Sequence, residues 1–315
     1  MTNNLSAFYP FGSIAHLKSL AKVLDFDVSE LKRIAISAPD YYLQNSINKK
    51  GRITYRVLQP LKKIQTKIKI NLLDKVTYPN YLHAYTKKHS PVTNAKVHLA
   101  KKILVNEDIE KYFDNCTEKH VFNVWKLFFK FPSEIALILT SLTTLNGRLP
   151  QGASTSPCLS NLIFWKYEPA LVKDFITMGL TYTRYGDDIS ISSSKVLSKE
   201  DMKNIISKLY GMLFKNNLKP KRKKHKISTS GDRMLVNGQI VNGSKVSLGK
   251  NAEGKDFALS VRAAIHKIDS TKCNLSPDEF FKNILSILGK INRIAQYNKN
   301  KSAALKRQLY KAICS

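Results

Sequence analysis

Three observations predict an α+β protein. Helical periodicity dominates both ends of the 315-residue chain, β-branched and aromatic runs flank a Gly-Asp-Asp turn in the middle, and strands do not alternate regularly with helices as a parallel sheet requires. Hydrophobic residues make up 43% and aromatics 10%, so apolar burial can offset the ordering of the chain, which excludes general disorder.

From Ser29, a hydroxyl N-cap, Leu31, Ile34 and Ala35 recur at helical spacing. The basic segment Lys49 to Pro60 reads as a hairpin or strand. Leu61, Ile64, Ile68 and Leu72 then mark one helix face, with Lys62, Lys63, Lys67 and Lys69 on the other. Leu104-Val105 leads as a short strand into Asp108. Thr117 caps a helix presenting Val121, Val124, Trp125 and Phe128, and a second helix covers Ser133 to Leu145. The loop Leu149 to Ser156 ends where Pro157 enters a first helical turn, and that helix should break or kink at Pro169. Thr181 to Tyr185 and Ile189 to Ser193 form a hairpin around Gly186-Asp187-Asp188. Ser198 with Asp201 makes a capping box for a helix with Met202, Ile205, Ile206, Leu209 and Leu213 inward. Asn242-Gly243 predicts a tight hairpin joining Gln239-Ile240-Val241 to Ser244-Lys245-Val246. After Gly254 the pattern becomes helical, and Ser276-Pro277-Asp278-Glu279 opens a helix with Phe280, Phe281, Ile284, Leu285, Leu288 and Ile291 as its apolar face.

Lys and Arg number 52 against 23 Asp and Glu, a net charge of +29. A field this positive points to a polyanionic partner, with RNA or DNA ahead of an acidic membrane surface or protein. Cys116, Cys158, Cys273 and Cys314 show neither metal-ligand spacing nor a disulfide framework, which suits a reducing cytosol. No basic residue precedes Lys18 and no clean apolar segment follows, so a cleaved signal peptide is not expected. The longest uncharged apolar stretch, Ile135 to Gly147, is too short to span a bilayer. The expectation is a cytoplasmic protein without a membrane partner.

Asp187 and Asp188 sit at a predicted hairpin tip, and Asp108 ends a strand that can lie beside them. Clustered carboxylates repel one another unless divalent cations intervene, and hard oxygen ligands of this kind suit Mg²⁺. Three acids holding two Mg²⁺ ions about 3.5–4 Å apart are the apparatus of in-line phosphoryl transfer.

At these residues the chain resembles reverse transcriptases. Val105-Asn106-Glu107-Asp108-Ile109-Glu110-Lys111-Tyr112-Phe113 is similar to their first catalytic motif, Leu149-Pro150-Gln151-Gly152-Ala153-Ser154-Thr155-Ser156-Pro157 to the second, and Tyr185-Gly186-Asp187-Asp188 to the third. The resemblance implies a right-hand polymerase fold: N-terminal helices and fingers over 1–100, a palm with interleaved fingers elements over 101–250, and a short helical RNA-binding thumb over 251–315. It implies that Phe113 is the aromatic floor that excludes a 2′-hydroxyl and so selects dNTPs. Gln151 and Gly152 then lie along the nucleotide pocket, and Arg52 or Arg56 holds the triphosphate, the loose alignment of that segment leaving the choice open. Lys224, in the basic run Lys219 to Lys226, is placed to assist pyrophosphate departure as a general acid.

Two further strings resemble elements of retron reverse transcriptases, namely Asn94-Ala95-Lys96-Val97-His98 and Val236-Asn237-Gly238, the latter with Asn in place of the family's Thr. Both are expected to help position RNA. In the thumb, Arg293, Tyr297, Arg307 and Tyr310 are the candidates for RNA contact, with Gln296 and Gln308 able to read base edges. The retron resemblance implies a cognate noncoding RNA, priming from the 2′-hydroxyl of one of its guanosines, and a branched single-stranded DNA product called msDNA. It also implies trimming of the template by host RNase H and a separately encoded effector in anti-phage defence. A group II intron-like or other bacterial reverse transcriptase shares the catalytic motifs but usually carries added domains. An RNA-dependent RNA polymerase shares Gly-Asp-Asp, but Phe113 argues against it. A merely RNA-binding module has no use for three aligned acids.

Overall fold

The computed structural model describes residues 4–45, 47, 51–248, 256–271 and 275–314. Lys49 and Lys50 of the predicted basic strand, and residues 249–255 around the predicted palm–thumb boundary, lie outside the described residues. The chain divides into two compact units, Met1–Ser90 with Ile103–Ile227 and Pro91–Lys102 with Ser228–Ser315.

Helices α1 (Leu17–Leu24) and α2 (Val28–Ile36) precede strands β1 (Tyr42–Gln44) and β2 (Tyr55–Val57), and α3 (Leu61–Asn71) follows. Helix α4 (Pro91–Val97) belongs to the second unit. Strand β3 (Ile103–Asp108) returns the chain to the first unit, where α5 (Tyr112–Asn115), α6 (Glu118–Asn123), a π turn, α7 (Ser133–Thr143), α8 (Ser156–Leu162) and α9 (Glu168–Thr177) come next. The hairpin β4 (Leu180–Tyr185) and β5 (Asp188–Ser193) leads to α10 (Lys199–Lys215). Strand β6 (Lys226–Thr229) carries the chain out of this unit to β7 (Leu235–Val236), β8 (Gln239–Ile240), β9 (Ser247–Leu248), α11 (Phe257–Thr271), α12 (Pro277–Ala295) and α13 (Lys299–Cys314).

The central sheet runs β4-β5-β3-β6, with β5 antiparallel to both β4 and β3. Strands β3, β4 and β5 are nearly continuous in burial, because α9 covers β4 and a broad apolar core built on Leu61, Ile64, Trp125, Phe164 and Leu209 fills the unit, whereas β6 at the edge buries only Ser228. The face predicted for α3 is the observed one: Leu61, Ile64, Ile68 and Leu72 are all buried. The second unit has its own smaller core, where α11, α12 and α13 meet through Val261, Ile291, Leu305 and Leu309.

Several elements differ from the sequence reading. Helix α1, not foreseen, buries Leu17, Leu20, Ala21 and Leu24. Helix α2 starts one residue before Ser29, because Asp27 is the extended N-cap residue and Ser29 already lies in the first turn. Beyond α6 the helix widens into a π turn at Val124–Phe128, which accompanies the packing of Trp125 against Phe129 and Phe131. Pro169 does not kink a long helix but sits in the first turn of α9, after the chain has left α8.

The tight turn expected at Asn242-Gly243 forms instead at Asn237-Gly238. Val236 and Gln239 are register partners, and both turn residues take positive φ, 47° and 76°, as a two-residue type I′ turn demands. Asn242 ties a longer loop together: its Nδ2 donates to the Ser230 and Asp232 carbonyls, and its Oδ1 accepts from the Met234 amide. On α12 the capping box at Ser276 and Glu279 is present, but Phe281 and Leu285 are exposed and Ile287, Ile291 and Ile294 are the buried residues. The apolar positions cover a wider arc than α11 and α13 can bury.

Candidate active site

The sheet brings the three predicted acids to one end. Asp108 at the end of β3 is the register partner of Asp188 at the start of β5, and Tyr185 pairs with Asp188 across the hairpin, so its loop is Gly186-Asp187 alone. Gly186 supplies the positive φ, +67°, and the Asp187 carbonyl accepts from the Ile109 amide at 3.0 Å. Burial, then the hydrogen bond to Asp108 and the charges of Asp187 and Asp108, push the Asp188 carboxyl well above the ordinary carboxylate range. Asp187 is raised in the same sense, chiefly by burial, with Asp108 adding to it and Arg52 and Lys224 opposing. Lys224 Nζ lies 2.9 Å from Asp108 Oδ2, and this contact raises the ammonium pKa.

Beside these acids a cavity of about 330 Å³ is lined by Arg52, Tyr85, Phe113, Gln151 and Lys221 together with Asp108 and Asp187. Phe113, on the short helix α5, is half-buried against Tyr112. Arg52 lines the cavity, whereas Arg56 stands exposed on β2 opposite Leu43 and does not. Gly152 takes φ +114°, and a Cβ there would come within 2.2 Å of the Tyr55 carbonyl oxygen. Its neighbour Gln151 accepts from the Tyr55 amide at 2.7 Å. The close approach that demands this glycine is therefore to the backbone of the Arg52–Tyr55 segment.

Two buried networks escaped sequence reasoning. Arg184, wholly buried, makes a bidentate pair with Glu168, Nε to Oε1 at 2.6 Å and Nη2 to Oε2 at 2.9 Å. Its Nη1 donates to Asn161 Oδ1 and, at 3.3 Å, to the Gly186 carbonyl, so the guanidinium braces the Asp187 loop from below. Tyr182 donates its hydroxyl to Glu168, and Phe164 lies under the guanidinium at 4.3 Å. The available signal was strand alternation: Tyr182 and Arg184 are two apart and share the buried face. On β3 the same alternation turns Glu107 to the face opposite Asp108, where its Oε1 meets Tyr210 Oη at 3.0 Å and His225 Nδ1.

In the second unit, Asn94 and His98 on and after α4 are buried, 1% and 0% exposed, and present no outer surface. Asn94 Nδ2 donates to Asn237 Oδ1 at 2.5 Å, which joins the two retron-like strings directly. Val236 is buried, Asn237 half-buried and Gly238 exposed at the turn. On the helical part Arg293, Arg307 and Tyr310 are exposed and Tyr297 half-buried, with the Arg293 guanidinium over the Phe257 ring.

Among the described residues, no group of three or more His, Cys, Asp or Glu side chains stands in metal-holding arrangement. The donor chemistry nevertheless fits divalent cations: the donors available are hard carboxylate oxygens, and Asp108 Oδ1 is buried without a hydrogen-bond partner.

The family model for reverse transcriptase (RNA-dependent DNA polymerase) matches residues 47–273. The retron Se72 reverse transcriptase of Salmonella heidelberg (strain 579083-10) is 33% identical over 223 residues, 70% of this chain and 59% of that protein. The retron Ec86 reverse transcriptase of Escherichia coli is 28% identical over 80% of this chain and 78% of its own, and the retron Ec48 enzyme of the same species 26% identical over 94% and 76%. The chain thus spans less than two thirds of the Se72 enzyme and about three quarters of the other two. With the acids, the cavity beside them and the family match falling on the same residues, this chain belongs to the reverse transcriptase family and is similar within it to the retron enzymes.

Proposed function

We propose that this protein is the RNA-directed DNA polymerase of a bacterial retron. The carrying observation is the convergence of Asp108, Asp187 and Asp188 at one sheet end, beside a cavity that holds Arg52, Phe113 and Gln151. In this reading the three carboxylates hold two Mg²⁺ ions, which when bound lower the barrier by activating the attacking hydroxyl and neutralising charge on the leaving group. Arg52 binds the triphosphate of a dNTP through its planar fork. Phe113 closes the space beside the sugar and excludes a 2′-hydroxyl. The primer hydroxyl gives up its proton to solvent as its oxygen bonds to the α-phosphorus, the bond from that phosphorus to the bridging oxygen breaks, and pyrophosphate departs with the electron pair. Lys224, held beside Asp108, donates a proton to that leaving oxygen.

The same reading makes 1–100 fingers, 101–250 palm and 251–315 thumb, with the exposed Arg293, Arg307 and Tyr310 contacting RNA. The substrate RNA is a cognate retron transcript, the first primer is the 2′-hydroxyl of one of its guanosines, and the product is msDNA. Host RNase H trims the template, and a separately encoded effector completes an anti-phage defence system in the bacterial cytoplasm. The similarity to the Se72, Ec86 and Ec48 enzymes supports this, as does the juxtaposition of Asn94 with Asn237. No helix among the described residues is long and apolar enough to cross a membrane. Sequencing the nucleic acid that copurifies with the protein tests the proposal: a short DNA joined 2′–5′ to an RNA is the expected result, and linear DNA or RNA alone rejects the retron reading.

A further inference from the structure

A second hollow, of about 640 Å³, adjoins the nucleotide cavity and is walled by Lys111, Lys219, Lys221, Arg222 and Lys223, with Glu110 the only acid in its lining. The backbone builds it. Pro220 bridges to Ile109, the Glu110 amide donates to the Lys219 carbonyl at 2.9 Å, and the Lys221 amide donates to the Asp108 carbonyl at 2.7 Å. The basic run is therefore held along the end of β3 by main-chain bonds, and its side chains are left to do something else. Lys224, one residue on, is paired with Asp108, whereas among the described residues none of the five cations around the hollow has a carboxylate within ion-pair distance. Five positive charges against one exposed acid repel each other, and an anion in the hollow relieves that repulsion.

The position of the hollow selects the anion. Lys111 and Lys221 line both cavities, so the two share a cationic wall next to the place where the triphosphate of an incoming nucleotide lies. Phe214 and Pro220 complete the lining, and Lys219, Arg222 and Lys223 stand exposed around it, on the side of the hollow away from the shared wall. We propose that this hollow is a pyrophosphate subsite, the exit through which the diphosphate leaving group passes, handed over by Lys111 and Lys221 and received by Lys219, Arg222 and Lys223. The inference rests on the polymerase reading above and assigns its leaving group a route.

The test uses the full chain extending oligo(dT) on poly(rA), with inorganic pyrophosphate added at fixed free Mg²⁺. The combined variant Lys219→Gln, Arg222→Gln, Lys223→Gln should raise the pyrophosphate inhibition constant by about tenfold or more. Without added pyrophosphate, its kcat/KM for dTTP should stay within about twofold. The combined variant Lys219→Arg, Lys223→Arg, which keeps the charge, should behave as the unmodified protein. An unchanged inhibition constant overturns the proposal. So does a rise confined to the KM for template–primer, which would assign the hollow to a nucleic-acid backbone. Stabilisation of the protein by pyrophosphate in a thermal shift, absent with the three-glutamine variant, reads the subsite without catalysis. If the unmodified protein fails to extend the primer yet shows this shift, the polymerase reading has failed and the role of exit falls with it, while the hollow is left as a pyrophosphate-binding site; extension without the shift overturns the subsite alone.

Discussion

Two hairpins in this molecule close with two-residue turns that contain glycine, and they are braced in opposite ways. The turn at Gly186-Asp187 carries one acid, is followed by a second at the start of β5, and rests on a buried guanidinium, itself paired with the buried Glu168. The turn at Asn237-Gly238 is neutral and is held by an amide, Asn94 Nδ2 on Asn237 Oδ1. Charge in the interior is expensive unless paired, so the first arrangement is intolerant of losing any member, while the second can lose its hydrogen bond and survive. The difference suits the proposed role of the first turn, which is to hold the carboxylates in place, and the expectation for the second, which is to help position RNA.

The largest expected effect separates the turns by chemistry. Asp187→Asn should abolish DNA synthesis while leaving RNA binding nearly intact, since losing a metal ligand removes several kcal/mol of transition-state stabilisation, at about tenfold in rate per 1.4 kcal/mol. Undiminished incorporation of dNTPs by this variant would remove the acids from the mechanism. Arg184→Leu comes next. It strands Glu168 as an uncompensated buried charge, and a destabilisation of about 3–5 kcal/mol in urea unfolding is expected. Pairing it with Glu168→Met should recover much of that stability but not activity, because the Gly186 carbonyl still lacks its donor. Full recovery of both would show that Arg184 serves folding alone.

The second turn should respond more mildly and more selectively. Asn94→Ala should cost about 1–3 kcal/mol, the price of one buried hydrogen bond left half-made. Extension of an annealed primer on a generic template should persist, while initiation on the cognate RNA should fall. Equal losses in both assays would make Asn94 a general structural residue and erase the contrast between the turns. The smallest effect concerns the segment alongside β4. Burial, and then the neighbouring His89, lower the pKa of His83 to about 4. The unfolded chain therefore binds a proton below about pH 6.5 that the native state refuses, so stability should be full above that value and decline as pH falls toward 4. His83→Asn should flatten the profile in that window, and an unaltered slope of melting temperature against pH would place the titration elsewhere.

The acids, the hairpin that carries two of them, the capping boxes at Ser198 and Ser276 and the buried face of α3 were all legible in the amino-acid sequence. Each is a local matter: strand alternation, a turn residue's φ, or a side chain capping a helix three residues away. Local rules failed where two signals of equal local quality competed. Asn237-Gly238 and Asn242-Gly243 are both suitable turn pairs, and only the tertiary surroundings, with Asn94 bonded to Asn237 and Asn242 bonded across its loop, decided which would close a two-residue hairpin. Arg52 and Arg56 were likewise indistinguishable by composition and were separated by which one reaches the cavity. Arg184 with Glu168 and Glu107 with His225 pair residues 16 and 118 positions apart, and no periodicity of helix or strand encodes a partner at such separations. Residue chemistry and short-range spacing thus determined which acids the end of the sheet carries. Long-range burial decided which groups support them, because the low polarity of the interior forces every charge it encloses to find a partner, wherever in the chain that partner lies.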